Sequence, residues 1–191
     1  MTTQESIIQT SRLILRQWSS DDLESLAKLN ADPRVMEYFP STLTREASNA
    51  LLKSAYTHIE KYGWGKWAVT LIETGEFIGR IGLEEIDFQA SFSPNIELGY
   101  RLGFEHWGKG YASEGAKAAL EYGFNQLNLK EIVAFTPIQN LRSQLVMKRI
   151  GMHNNPSHNF DHPKLAEEHP LKKHVLYRLR AVEWGKGLLC I

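Results

Sequence analysis

The stretch Ile96-Glu97-Leu98-Gly99-Tyr100-Arg101-Leu102, followed shortly by Trp107-Gly108-Lys109-Gly110-Tyr111-Ala112, decides how this chain is read. Ile96, Leu98, Tyr100 and Leu102 alternate with Glu97, Gly99 and Arg101, the period-two pattern of a strand. The glycine pair breaks the pattern. Beyond it Ala112, Ala116, Ala119, Leu120, Phe124 and Leu127 fall on one face of a long helix. A strand, a glycine turn and a helix start together offer backbone N–H groups and the positive end of a helix dipole to phosphate oxygens. Glycine suits such a turn because the phosphate must approach the backbone closely and because positive φ can be required. Lys109 adds a charge nearby. The same segment also fits an ordinary turn whose glycines serve geometry alone. It is not a Walker A loop, since no Lys-Ser or Lys-Thr follows the glycines. It is not a dinucleotide fingerprint either, because the third glycine is missing.

Upstream, Arg12 to Trp18 reads as a first strand and Ser19-Ser20-Asp21-Asp22 as a helix start, with Leu23, Leu26 and Ala27 on one face. Asp32-Pro33 ends that helix. A second helix begins at Thr44, carries Ala47, Leu51, Ala55 and Ile59 at four-residue spacing, and is closed by Gly63 and Gly65. Trp67, Val69 and Leu71 alternate, turn at Glu73-Thr74-Gly75-Glu76, and lead into a strand over Phe77 to Ile86. Downstream, Glu131 to Thr136 is a strand ended by Pro137, Asn140 starts a helix that Gly151 stops, and Val175 to Val182 is the last strand. Residues 153–173 read as a strand and a long hairpin loop. The order β-α-α-β-β-β-α-β-α-β-β indicates an α/β class with a mixed α+β sheet.

Length and composition narrow the function. A chain of 191 residues favours one domain and can bury a core without disulfide or metal. The 22 basic and 22 acidic side chains cancel, which argues against a nucleic-acid or anionic-membrane binder. The one cysteine, Cys190, excludes an intramolecular disulfide and a cysteine-rich zinc site. It sits one residue from the end and is therefore no prenylation site. Met1 to Arg12 lacks the pattern of a signal peptide, and no apolar run approaches the roughly 18 residues of a membrane span. A cytoplasmic protein with no membrane partner is expected.

The turn and the order of elements together resemble the GNAT superfamily of acyl-CoA-dependent N-acetyltransferases. More narrowly they resemble its ribosomal-protein N-terminal acetyltransferase branch, of RimJ/RimL type. Trp107-Gly108-Lys109-Gly110-Tyr111-Ala112 is similar to the family's pyrophosphate loop, Gln/Arg-x-x-Gly-x-Gly/Ala, with Trp107 in the Gln/Arg place as is usual in this branch. Asn140, Ser143 and Gly151 match a second motif. The 96–102 strand, the opening Ser11-Arg12-Leu13-Ile14-Leu15-Arg16 and the closing His174-Val175-Leu176-Tyr177-Arg178-Leu179 also fit. The resemblance covers about residues 10–182 and implies one acetyltransferase domain over the whole chain.

What the resemblance implies is transfer of an acetyl group from acetyl-CoA, as cosubstrate, to a primary amine by direct attack, an acyltransferase of EC 2.3.1 type. The only thiol, Cys190, has no motif around it, so a covalent cysteine route has no obvious nucleophile. Residues 108–113 (Gly108, Lys109, Gly110, Tyr111, Ala112 and Ser113), with Trp107, would hold the diphosphate, and backbone groups of Tyr100, Arg101 and Leu102 the pantetheine arm. Asn140 is assigned to the cofactor arm and equally to capping the helix it opens. Glu97 is the candidate base, directly or through a water. A solvated strand residue or an ion-pair partner describes it as well, and Glu84 and Glu85 are its rivals. The family's usual proton donor, a Tyr seven residues after the Asn, is Met147 here. Ser143 could hydrogen-bond the leaving sulfur instead, a helix-start role for it also standing, and solvent could protonate the thiolate. The acceptor is a peptide N-terminus or a small-molecule amine, and the protein a monomer or homodimer with no nucleic-acid partner. The rival from another class is a non-catalytic acyl-CoA sensor, which the Met147 departure favours. Tyr38, Trp64, Trp67 and Tyr111 could wall an acceptor site or serve as core. His153, His158, His162, His169 and His174 invite a metal, but Pro156 and Pro163 flank the i,i+4 pair and argue against a helix presenting both. No metal is expected.

Overall fold

The computed structural model describes residues 8–187, so Cys190 and the apolar tail Leu188-Leu189-Cys190-Ile191 lie outside the described residues. The elements are β1 Ile8–Gln9, β2 Leu13–Arg16, α1 Asp22–Ala31, α2 Arg45–Tyr62, β3 Lys66–Leu71, β4 Phe77–Glu85, β5 Ile96–Leu102, α3 Tyr111–Asn125, β6 Glu131–Pro137, α4 Leu141–Arg149, β7 His153–Asn154, β8 Phe160–Asp161, β9 Lys173–Arg180 and α5 Ala181–Gly187. The class is mixed α/β, as expected. The chain forms two compact units: the part through Leu83 with Gly99–Ala119, and Glu84–Leu98 with the part from Leu120 onward.

In the first unit β1, β2, β3 and β4 pair antiparallel in sequence order, with Leu13 opposite Leu71 and Lys66 opposite Gly82. Leu13, Leu15, Trp67, Val69, Ile78 and Ile81 bury their side chains almost completely. Trp67 is therefore core and not a wall of a site. The strand β2 is tied to α1 by Arg16, whose two terminal nitrogens each bond one oxygen of Asp22 at 2.8 Å. Thr44 caps α2, its Oγ1 accepting from the Ala47 N–H at 3.2 Å, and Gly63 closes it in the left-handed region at φ 78°. The buried face of α2 is Ser48, Leu52 and Ile59, whereas Ala47 is exposed. The apolar spacing placed Ile59 correctly but is off by one position nearer the helix start, where Leu52 and Ser48 are buried in place of Leu51 and Ala47 and Ser48 meets a polar partner. Asn30, fully buried on α1, donates from Nδ2 to Ser48 Oγ at 3.1 Å.

Gly79 lets β4 and β5 approach within this unit. Its φ is +146°, and a Cβ there would lie 2.2 Å from the Arg101 carbonyl oxygen and 2.8 Å from the Leu102 Cα. Both obstacles are backbone and cannot rotate away. Gly79→Ala is therefore expected to cost roughly 3 kcal/mol, combining overpacking with backbone strain. A urea melt would measure it, and a loss under about 1 kcal/mol would contradict the close approach.

In the second unit β6 and β9 run antiparallel from Glu131 opposite Arg180 to Pro137 opposite His174. β5 joins β6 in parallel at Glu97 opposite Val133, which makes the sheet mixed. β7 and β8 each pair with β9, at His153 opposite Arg178 and Phe160 opposite His174. The expected last strand, Val175 to Val182, is displaced: β9 ends at Arg180, and Ala181 and Val182 enter α5. Glu183 reaches back to accept from the Arg180 N–H at 2.8 Å, and the Ala181 N–H is taken by Lys130 O at 2.9 Å. Those bonds divert the backbone from the ladder.

Phe88, Phe92, Phe135, Phe160, His162 and His174 form a ring cluster, with centroids 4.9 Å apart between the two histidines and 5.6 Å between Phe160 and His174. Burial pushes His174 down to about 4, from an ordinary 6.5. The neighbouring His162 adds to the effect, while the bond to Lys172 O and the charge of Asp161 oppose it. Burial also lowers His162, with Lys164 and Lys172 adding and Asp87 opposing. Below 6.5 the unfolded chain binds a proton that the folded cluster refuses. The contribution is thus complete above pH 6.5 and is lost as pH falls toward 4. After allowance for partial solvent screening we expect a loss of about 2 kcal/mol. Urea melts at several pH values would detect it, and His174→Phe should flatten the dependence; an unchanged slope in that variant would contradict the assignment.

Candidate active site

The glycine turn is built in the first unit. After β5, residues 104–106 make a 3-10 turn, and Trp107 anchors the next step by donating from Nε1 to Leu102 O at 2.9 Å. Gly108 and Gly110 hold φ of +75° and +83°, conformations that side chains rarely adopt. A Cβ at Gly108 would meet nothing within 4 Å, so the turn is open on that side. Helix α3 then begins with the bond from Glu114 N to Gly110 O at 3.0 Å, which leaves the N–H groups of Tyr111, Ala112 and Ser113 ahead of its first helical bond. Lys109 is exposed and its carbonyl accepts from Arg12 Nη1 at 3.0 Å. The turn thus has the form that an anion-binding loop needs, with N–H donors, an open face and a nearby cation.

Tyr100, Arg101 and Leu102 lie on β5 in the same unit. The Leu102 carbonyl is taken by the Trp107 indole, and the Arg101 carbonyl faces Gly79. The Arg101 side chain does something the sequence did not announce: Nη1 donates to Asn30 Oδ1 at 2.6 Å, and the guanidinium sits 4.0 Å from the centroid of the Phe39 ring. It ties β5 to α1 and to the connection that follows it.

In the second unit Glu97 is half-buried on β5, opposite Val133. Asn140 is the N-cap of α4. Its Oδ1 accepts from the Ser143 N–H at 3.1 Å, and its Nδ2 donates to Thr136 Oγ1 at 3.0 Å. The capping reading of Asn140 is therefore realised, and Asn140 and Ser143 are brought together by that cap. Met147, further along the same helix, is 2% exposed and fills the core of its unit. Where many relatives of the resembled family carry a phenol, this chain spends the position on packing.

The profile of the Acetyltransferase (GNAT) domain matches residues 12–153. This chain belongs to the GNAT acetyltransferase family. It is 33% identical over 147 residues to the uncharacterised N-acetyltransferase YnaD of Bacillus subtilis, covering 76% of this chain and 81% of that protein. It is 30% identical over 188 residues to the FsC-acetyl coenzyme A-N(2)-transacetylase of Aspergillus fumigatus, covering 93% of this chain and 77% of that one. Among solved structures, a GNAT-family acetyltransferase from Bacillus anthracis superposes with a TM-score of 0.77 at 26% identity, over 93% of this chain and 99% of its own.

Two contributors to this acetyltransferase's turn, Arg12 and Glu114, had no role assigned to them from the sequence. Glu114, in the first turn of α3, accepts from Thr10 Oγ1 at 2.6 Å, Ser11 Oγ at 2.9 Å, the Arg12 N–H at 2.9 Å and Arg12 Nε at 2.6 Å. Burial alone would raise its carboxyl. The hydroxyl and guanidinium donors outweigh that and hold it below the ordinary carboxylate range. An acid in a first helical turn was visible in the sequence, but its partners lie about a hundred residues away and no local pattern points to them. Of the five histidines, His162 and His174 join the ring cluster, the ring nitrogens of His162 and His169 accept from Lys164 N and Leu171 N, and His153 and His158 are exposed. Among the described residues no three His, Cys, Asp or Glu converge as a metal site, and no helix is long and apolar enough to cross a membrane.

Proposed function

We propose that this GNAT acetyltransferase transfers an acetyl group from acetyl-CoA to a primary amine by direct attack of the amine on the thioester. The observation that carries the reading is the turn at Gly108–Gly110, whose positive φ angles and open face precede the N–H groups of Tyr111, Ala112 and Ser113. Those groups, with Lys109 and the Trp107-anchored entry, suit the diphosphate of CoA. Backbone groups of Tyr100, Arg101 and Leu102 are assigned to the pantetheine arm, as an added strand would use them, with the Leu102 N–H rather than its occupied carbonyl. Glu97 is assigned the removal of a proton from the incoming ammonium, and Ser143 a hydrogen bond to the departing thiolate. Asn140 is assigned to the arm through what its cap leaves free. The reading takes residues 1–191, with a core at about 10–182, as one acetyltransferase domain, a choice supported by a family profile that covers residues 12–153 and so includes parts of both units. The motifs favour the RimJ/RimL-like branch, with a protein N-terminus or a small amine as acceptor. The name of the Aspergillus relative, an acetyl-CoA-using N(2)-transacetylase, supports the donor.

The buried Met147 favours a second reading, a CoA-binding domain without turnover. One experiment separates the two. Acetyl-CoA at a hundred times its Kd should stabilise the protein by about 2.7 kcal/mol under either reading. Release of CoA thiol in the presence of a panel of primary amines and N-terminal peptides should occur only with an enzyme. Stabilisation without thiol release on any acceptor would support the sensor; no stabilisation would overturn both.

A further inference from the structure

We infer that Arg12 is a positioning residue that fixes the direction of the Gly110 N–H toward the bound diphosphate, a role that rests on the function proposed above. The reason is the geometry of one peptide group. In a planar trans peptide the C=O and the following N–H point in opposite directions. Arg12 Nη1 holds the Lys109 carbonyl at 3.0 Å, so the Gly110 N–H is turned to the other side of the loop. Without that hold, the peptide between Lys109 and Gly110 can turn over, because the flip changes ψ of Lys109, for which both main allowed regions are open, and φ of Gly110, which glycine accepts at either sign. The donor would then be offered only part of the time.

Arg12 is itself immobilised to a degree unusual for a half-exposed arginine. Its Nε and Nη2 both lie 2.6 Å from Glu114 Oε2, and its guanidinium stacks 4.6 Å from the centroid of the Tyr111 ring. Thr10, Ser11 and the Arg12 N–H saturate the other oxygen, Glu114 Oε1. Arg12 Nη2 also lies 3.4 Å from where a Gly110 Cβ would stand, so the guanidinium lies against the turn. The ordering of the turn is therefore carried by the segment ahead of β2 and by the first turn of α3, and the fork of an arginine is what reaches carbonyl and carboxylate together. A lysine, with a single ammonium, meets one or the other.

The test compares Arg12→Met and Arg12→Lys with the wild type in calorimetric titration with CoA, and in turnover of acetyl-CoA and of S-acetylpantetheine, which lacks the diphosphate. Arg12→Met should weaken CoA roughly tenfold and raise the KM for acetyl-CoA in proportion, with kcat unchanged. Turnover of S-acetylpantetheine should stay at the wild-type value, and Arg12→Lys should recover part of the loss. CoA affinity within twofold of wild type would overturn the inference, as would an equal loss with S-acetylpantetheine. Absence of CoA binding by the wild type would overturn the proposed function instead. The hold is then still read in the unliganded protein, where Arg12→Met should give the Lys109 and Gly110 amides new exchange broadening in NMR relaxation dispersion. Unchanged relaxation would overturn the hold itself.

Discussion

Replacing Gly110 by proline is expected to lower the affinity for CoA at least roughly a hundredfold, or ~2.7 kcal/mol. Gly110 sits at φ +83°, and the proline ring fixes φ near −65°. The turn must refold to accept it. The substitution also deletes the N–H that Arg12 orients, and it pushes Lys109 toward extended backbone, away from the arginine that holds its carbonyl. Gly110→Ala is the milder comparison. It keeps the N–H but places an L residue at positive φ, at about 1–2 kcal/mol, with its Cβ against Arg12. The expected order of CoA affinity is wild type, alanine, proline. Calorimetric titration measures it, with thermal melting to establish that both variants are folded. A folded proline variant that binds within fivefold of wild type would remove the turn from the diphosphate site.

Glu97→Gln is expected to reduce kcat by roughly a hundredfold to ten-thousandfold while leaving CoA affinity near wild type. Glutamine keeps the size and shape of the side chain at a half-buried position on β5 but cannot take a proton at neutral pH. If Glu97 is the base, the acidic limb of the pH–rate profile should vanish with the rate. An alternative base, Glu84 or Glu85, would leave the Glu97→Gln variant active and transfer the effect to its own substitution. Both are exposed at the end of β4, which makes them weaker candidates for a tuned carboxylate. A Glu97→Gln enzyme with wild-type kcat and an intact profile would end the assignment.

How much of this was legible can be judged from particular residues. The β5 boundaries, Ile96–Leu102, and the start of α3 at Tyr111 follow from alternation, two glycines and helical spacing, all local signals. The caps of α2 and α4, at Thr44 and Asn140, are local chemistry too and were readable for the same reason. The inward face of α2 was legible at Ile59 but not at Ser48, which Asn30 from another helix engages. Nor was the end of β9, where Lys130 and Glu183 divert the chain. The expected strand of the hairpin region is β7, but the region also held a further short strand, β8, and His162 became a packing ring beside His174, because β9 supplied a partner edge that no local window contains. In the candidate site, Trp107, Gly108 and Gly110 announced themselves; Arg12 and Glu114, which shape the turn, did not.

The sequence by itself determined the class, the family likeness and the place of the glycine turn. Each depends on short-range rules: the side-chain period of a strand or helix, the φ that glycine alone accepts, and the hydrogen bonds a cap residue makes to its own helix. Only the tertiary structure decided which distant side chains complete those pieces. Arg12 on the Lys109 carbonyl, Arg101 on Asn30 and His174 among phenylalanines are contacts between elements far apart in sequence. Such contacts are set by how strands and helices pack, and packing is a property of the folded chain that no local stretch encodes.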